Sequence, residues 1–208
     1  MKDSFKRIIS IFELEIAAQY ERHENKFDAE SYHGRFHILR TLFLANTIME
    51  YYIKKGIEVD TQKAFYALLF HDIAREGNGV DLWEKESALV CHDYLISKNY
   101  GSSYAFGCSD LIYQISDRSI ERQILKDADV LDYHRFFISD DDQDYFDRSH
   151  LVFGGEKEVF GSIDLKAQEG VIKLARNLVQ FTSEILVETP TYELVAGVNK
   201  YYRKVKPW

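Results

Sequence analysis

Apolar side chains recur every three to four positions along most of this chain, the spacing of helices with one buried face. Residues 4–22 place Phe5, Ile8, Ile9, Phe12, Ile16 and Ala17 on one stripe. The stretch HENKFDAESYHG (23–34) has no such period and reads as a polar connection. From Phe36 to Lys54 the stripe returns with Ile38, Leu42, Ala45, Ile48, Met49 and Tyr52, and Gly56 suits a helix end. Thr61 is placed to cap a third helix, apolar nearly all round to Phe70, which makes it the central buried one. Trp83, Ser87, Val90, Cys91 and Tyr94 mark the inner face of a fourth, which KNYGSS ends. Two further helices are predicted over 103–116 and 119–137, a long one over 163–186, and a last one from Pro190 to Tyr202. REGNGVD is a loop with two glycines. The acidic stretch from Asp140 to Gly155 reads as a solvated loop, with a lid as the alternative, and is expected to be more mobile than the helices around it.

Composition supports helices over strands and turns. Only 2 prolines and 11 glycines punctuate the 208 residues. With 46% apolar and 29% charged residues and no repeat or linker, the expectation is one all-α domain over residues 1–208. A net charge of -8 argues against a nucleic-acid polymer or an anionic membrane as partner, though not against a small phosphorylated ligand held by a local cation. Cys91 and Cys108 form no metal-binding spacing and suit free thiols. Glu13 and Glu15 break the apolar run of the N-terminal stretch, and nothing approaches the ~18 apolar residues of a membrane span. A cytoplasmic protein is the expectation, with homo-oligomerisation left open.

One stretch resists this bland picture. In ALLFHDIARE, His71 and Asp72 follow a buried run with nothing between, and a buried imidazole and carboxylate are costly unless paired. His37 lies just inside the apolar face of its own helix, and His33 one turn earlier could make an i, i+4 pair with it. LKDADVLDYHRF brings Asp127, Asp129 and Asp132 into another packed helix. A second His-Asp dipeptide, His92-Asp93, sits opposite the inner stripe of its helix and is expected to face solvent. Imidazoles and carboxylates converging in a core suit a divalent cation, which removes the burial penalty and activates water against phosphorus. Periodicity leaves Asp129 and Asp132 both open as the last ligand, with Asp132 nearer the apolar side.

In order, FHILRTLFLA, ALLFHDIARE and LKDADVLDYHRF resemble the HD-domain superfamily of metal-dependent phosphohydrolases, over about residues 31–137. The helices over 164–203 would pack on that core. The resemblance implies an all-helical fold, one divalent ion held by His37, His71, Asp72 and Asp129, and hydrolysis of a phosphate ester, often of a nucleotide, by a metal-bound water. Asp72 would also take a proton from that water. The choice of Asp129 rests on the resemblance alone. Some members carry Glu where this chain has Arg75, which leaves Glu76 or Asp81 as the nearest acidic replacement for a water-orienting base. Arg75 would hold a phosphate or pair with a surface carboxylate, and Lys126 stands between the same alternatives. Trp83-Glu84 replaces a His-Gly pair, and LIYQISDRS lacks a histidine common in relatives. Those histidines help hold a second metal, so a single ion is expected.

The functional expectation is therefore a metal-dependent phosphohydrolase acting on a small phosphorylated metabolite, foremost a nucleotide, with Asp72, Arg75 and Glu76 as catalytic candidates. Whether it would be a phosphomonoesterase or a phosphodiesterase stays open. Manganese, magnesium, iron, cobalt, nickel and zinc all meet such mixed ligands. A non-catalytic HD-like module that binds a metal or nucleotide is the alternative. A helical scaffold whose four residues satisfy one another is the third reading.

Overall fold

The structure is a computed structural model that describes residues 2–28, 31–75, 83–113, 118–136, 151, 153 and 164–208. Every regular element among them is helical, as the periodicity predicts. The chain begins with α1 (Lys2–Ile11), a π-helical turn (Phe12–Ile16) and α2 (Ala17–Phe27). Then come α3 (Arg35–Lys54), α4 (Thr61–Phe70), α5 (Glu84–Ser97), α6 (Ser102–Tyr113) and α7 (Ile120–Leu131). A 3-10 turn (Asp132–Phe136), α8 (Leu165–Ser183) and α9 (Thr191–Val205) complete it. One continuous apolar core joins residues from all the helices. No described helix is long and apolar enough to cross a membrane.

Most predicted ends fall within a few residues, and the local chemistry explains them. Gly56, at a φ of 78°, ends α3 as expected, with its N–H on the Ile53 carbonyl and the next on Tyr52. Asp60, rather than Thr61, caps α4 by accepting from the Lys63 amide. The helix expected over 119–137 tightens at Asp132 into the 3-10 turn. Apart from the buried Leu151 and Phe153, the stretch from Asp140 to Gly155 lies outside the described residues, as do Glu76 and Asp81.

Two readings are corrected. The central position belongs to α3 as much as to α4, because α3 is buried on nearly every side, although its stripe is apolar on only one. Its polar residues are inside because each has a partner: Arg40 and His37 meet Asp132, and Asn46 and Thr47 meet the Tyr202 hydroxyl. The supposed polar connection after residue 22 is still helix to Phe27. There Glu24 continues the i+4 line of Phe12, Ile16 and Tyr20 into the interior.

Glu24 needs a cation there, and Arg35 supplies it. The Arg35 Nε donates to Glu24 Oε2 at 2.6 Å, while its Nη atoms donate to the Val187 and Thr189 carbonyls between α8 and α9. Ser31 and the Arg35 amide also donate to Glu24. Gly34 lies against this cluster, and a methyl group there would collide with the Glu24 side chain and approach Ser31 Oγ to 2.6 Å. Gly34→Ala is expected to cost about 1–3 kcal/mol, read as a lower urea midpoint. An unchanged midpoint would mean that the Glu24 cluster yields freely.

Candidate metal centre

Three helices deliver the site. α4 ends at Phe70, so His71 and Asp72 stand at its C-terminus, where the helix dipole favours positive charge. Its last carbonyls are occupied: Leu69 accepts from the Tyr20 hydroxyl at 2.9 Å, and Leu68 faces His71 Nδ1 at 2.7 Å. α3 supplies His37 from one side, and α7 supplies Asp129 from the other.

Hydrogen-bond partners assign the tautomers. A carbonyl only accepts, so His71 carries a hydrogen on Nδ1 and, as the neutral ring, turns a lone pair inward at Nε2. His37 Nδ1 lies 2.7 Å from Asp132 Oδ2 and donates to it, so His37 Nε2 is a lone pair as well. Burial, aided by the charge of Arg135, pushes the His37 pKa down to about 4, so the ring is neutral near pH ~7.

The two inward Nε2 atoms are 3.1 Å apart. Asp72 Oδ2 is 3.5 Å from His37 Nε2 and 3.8 Å from His71 Nε2. Asp129 Oδ1 is 3.4 and 3.9 Å from the same two atoms. Each carboxylate therefore approaches both imidazoles, but the groups close enough to share one ion are His37, His71 and Asp129 and, beside it, His33, His37 and Asp72, rather than the four expected ligands together. Ligand atoms about 2.1 Å from an ion lie roughly 3.0–4.2 Å apart, depending on the angle at the metal. The spacing of either carboxylate to the two imidazoles fits such an ion, and a divalent charge would balance the carboxylates. His37, His71 and Asp72 are buried, whereas the Asp129 side chain is 34% exposed and opens the cluster to solvent.

Further residues hold these atoms in place, and of these sequence reasoning missed Arg40 and the supporting roles of Asp132 and Trp83. Asp132 is fully buried beneath His37 and accepts two Arg40 N–H bonds at 2.6 and 2.9 Å. Burial alone would raise its carboxyl pKa, but Arg40 and His37 hold it well below the usual range. The His37 and Arg40 spacing of three residues was the available signal, since it puts both on one side of α3. Trp83 donates its indole N–H to Asp72 Oδ1 at 2.9 Å, and the Arg75 guanidinium lies 3.7 Å over the Trp83 ring. Arg75 Nη1 is 3.7 Å from Asp72 Oδ2. His33 brings Nδ1 to 3.2 Å from Asp72 Oδ2, which its i, i+4 spacing from His37 foreshadowed. Burial opposes the Asp72 charge, whereas positive charge on the His71, His33 or His37 ring lowers its carboxyl below the ordinary range.

The remaining candidates lie apart. Asp127 is buried and accepts from the Phe153 amide at 2.7 Å, which anchors the returning chain. Lys126 is exposed on α7. His92 does not simply face solvent: its ring packs against Phe106, with centroids 4.5 Å apart, and Nδ1 contacts Asp93. Helix α6 covers what the wheel of α5 alone leaves open.

His134, in the 3-10 turn, is also buried, and burial together with Arg176 pushes its pKa down to about 4. The unfolded chain holds that proton up to about pH 6.5, so the unfolded state binds more protons between these values. Stability present above the upper value is lost as pH falls through the window. Urea midpoints of the chelated protein at about pH 7 and about pH 4.5 are expected to show that loss, and His134→Gln to reduce it. An equal loss in both would mean that His134 titrates in the native state as it does unfolded.

Compared with protein-family models, curated proteins and solved structures, the chain gives no match.

Proposed function

We propose that the protein is a metal-dependent phosphohydrolase acting on a small phosphorylated metabolite, foremost a nucleotide, with one divalent ion held by His37, His71, Asp72 and Asp129. The observation that carries the reading is the pair of imidazole Nε2 atoms 3.1 Å apart with Asp72 and Asp129 oxygens 3.4–3.9 Å from them, an arrangement that calls for a positive charge at its centre. The ordered resemblance of the three segments to HD-domain phosphohydrolases supports the reaction class. When bound, such an ion acidifies water and offsets charge building on phosphorus.

The chain's own residues supply the rest. Asp72 Oδ2 faces the cluster and is placed to take a proton from the attacking water, while Trp83 occupies Oδ1 and keeps the carboxylate turned. Arg75, braced on the Trp83 ring at the edge of the cluster, is placed to contact a phosphate oxygen. His33 lies against Asp72 Oδ2 and can relay the proton outward. The long Arg75–Asp72 contact also favours a second reading, a module that binds a metal or nucleotide without turnover, because a guanidinium beside the proton acceptor weakens it as a base.

Elemental analysis of the purified protein, followed by inorganic phosphate release across a nucleotide panel with several divalent metals, tests both. Bound metal with release is expected. Bound metal without release on any substrate favours the binding module. No bound metal under any condition overturns both.

A further inference from the structure

A cavity of about 270 Å³ opens beside the 3-10 turn, separated from the metal cluster by Asp132 and His33. Arg40 and Arg135 line it, each only 4% exposed, opposite Phe36, Val179, Ile185 and Val187. Two buried guanidinium charges thus share one carboxylate, Asp132. Arg40 is fully engaged, with both Asp132 oxygens and Thr182 Oγ1 as acceptors at 2.6–2.9 Å. Arg135 is not. Its Nη1 reaches Asp132 Oδ2 only at 3.3 Å, and its Nε has no hydrogen-bond partner among the described residues, the guanidinium otherwise lying 4.4 Å over the Phe136 ring and 5.4 Å over that of Tyr133. Its Nη2 lies 3.4 Å from His33 Nδ1, the same atom that faces Asp72 Oδ2 at 3.2 Å. A hydrogen on that nitrogen, spent on Asp72, leaves no lone pair for Arg135.

A buried guanidinium with one long ion pair is a costly arrangement, and an anion in the adjoining space would relieve it. Apart from the hydroxyls of Ser31, Thr182 and Ser183, the rest of the described wall is aliphatic and aromatic, so the favourable occupant also carries hydrocarbon. We propose that this cavity is a binding site for a small organic anion: a carboxylate or phosphate head set against Arg135, on a short apolar body lying along Phe36, Val179 and Ile185. The site is separate from the metal cluster, and the proposal stands whether or not that cluster is catalytic.

Calorimetric titration of the full chain under chelation, which removes any metal-held anion, tests it. The probes are hexanoate and hexyl phosphate, which distinguish the two heads, with neutral hexanamide as control. At least one anion is expected to bind saturably, and hexanamide not to bind. Arg135→Gln is expected to weaken binding by roughly thirtyfold or more. Ser183 lines the cavity at its exposed edge, bonded only to the Gln180 carbonyl of its own helix. Ser183→Trp is therefore expected to block binding while leaving the unfolding midpoint without anion unchanged, and it decides the matter if Arg135→Gln does not fold. Arg75→Gln is expected to leave the affinity alone. The proposal is overturned if neither anion binds, if hexanamide binds as well as they do, if Ser183→Trp retains full affinity, or if the loss follows Arg75 instead.

Discussion

Asp132→Ala is expected to lower the folding free energy by about 3–5 kcal/mol, the cost of removing one partner from a buried ion pair. Asp132 receives Arg40 twice, Arg135 and His37 in a place with no solvent access. Without it, two buried guanidinium groups lose their shared counter-charge and His37 loses the acceptor that fixes its tautomer. Against the ~5–15 kcal/mol total of an ordinary domain, such a loss brings the chain near unfolding. Asp129→Ala should differ in kind. Its carboxylate is partly exposed and, among the described residues, meets no arginine or lysine, so stability without metal is expected to change by less than ~1 kcal/mol while bound metal is lost. Urea unfolding of chelated protein, paired with metal analysis, separates the two aspartates. If Asp132→Ala keeps the wild-type midpoint and strips the metal while Asp129→Ala keeps it, the two roles are exchanged.

Asp72→Ala is expected to have the largest effect on metal. Asp72 Oδ2 lies within 3.8 Å of both imidazole lone pairs, and its loss removes charge as well as a ligand. Losing a supporting partner of a metal ligand costs about 10–100-fold in affinity, so losing a ligand should exceed that. Phosphate release is expected to vanish with it. His92→Ala removes the other His-Asp dipeptide and should alter neither, since that ring lies on Phe106. Chelation of the wild type is expected to lower its unfolding midpoint, because an ion present at 100 times its Kd stabilises by about 2.7 kcal/mol. A helical scaffold whose residues merely satisfy one another predicts the opposite pattern: no bound metal, no effect of chelator, and no special loss from Asp72→Ala beyond its burial.

The helices and the address of the site were legible in the residues themselves. A 3.6-residue stripe depends on neighbours within a turn or two, so α1, α4, α8 and α9 could be placed from local order, and so could the glycine that ends α3. The same local order marked His71 and Asp72 as polar groups behind a buried run, and His37 as facing the same interior. What the stripe cannot report is which distant group meets a buried polar atom. Glu24 looked like part of a connection because its partner, Arg35, lies beyond the helix end and is anchored in turn to Val187, 152 positions away. A helical wheel left both Asp129 and Asp132 open as the ligand and put Asp132 nearer the apolar side. Tertiary structure separates them by bringing Arg40, 92 positions away, and His37, 95 positions away, onto Asp132 while leaving Asp129 free to face His71. Trp83 read as an ordinary inward residue until the fold set its indole N–H on Asp72. Apolar burial is a property of each segment's own pattern, whereas pairing is a property of two segments at once, and only their packing decides it.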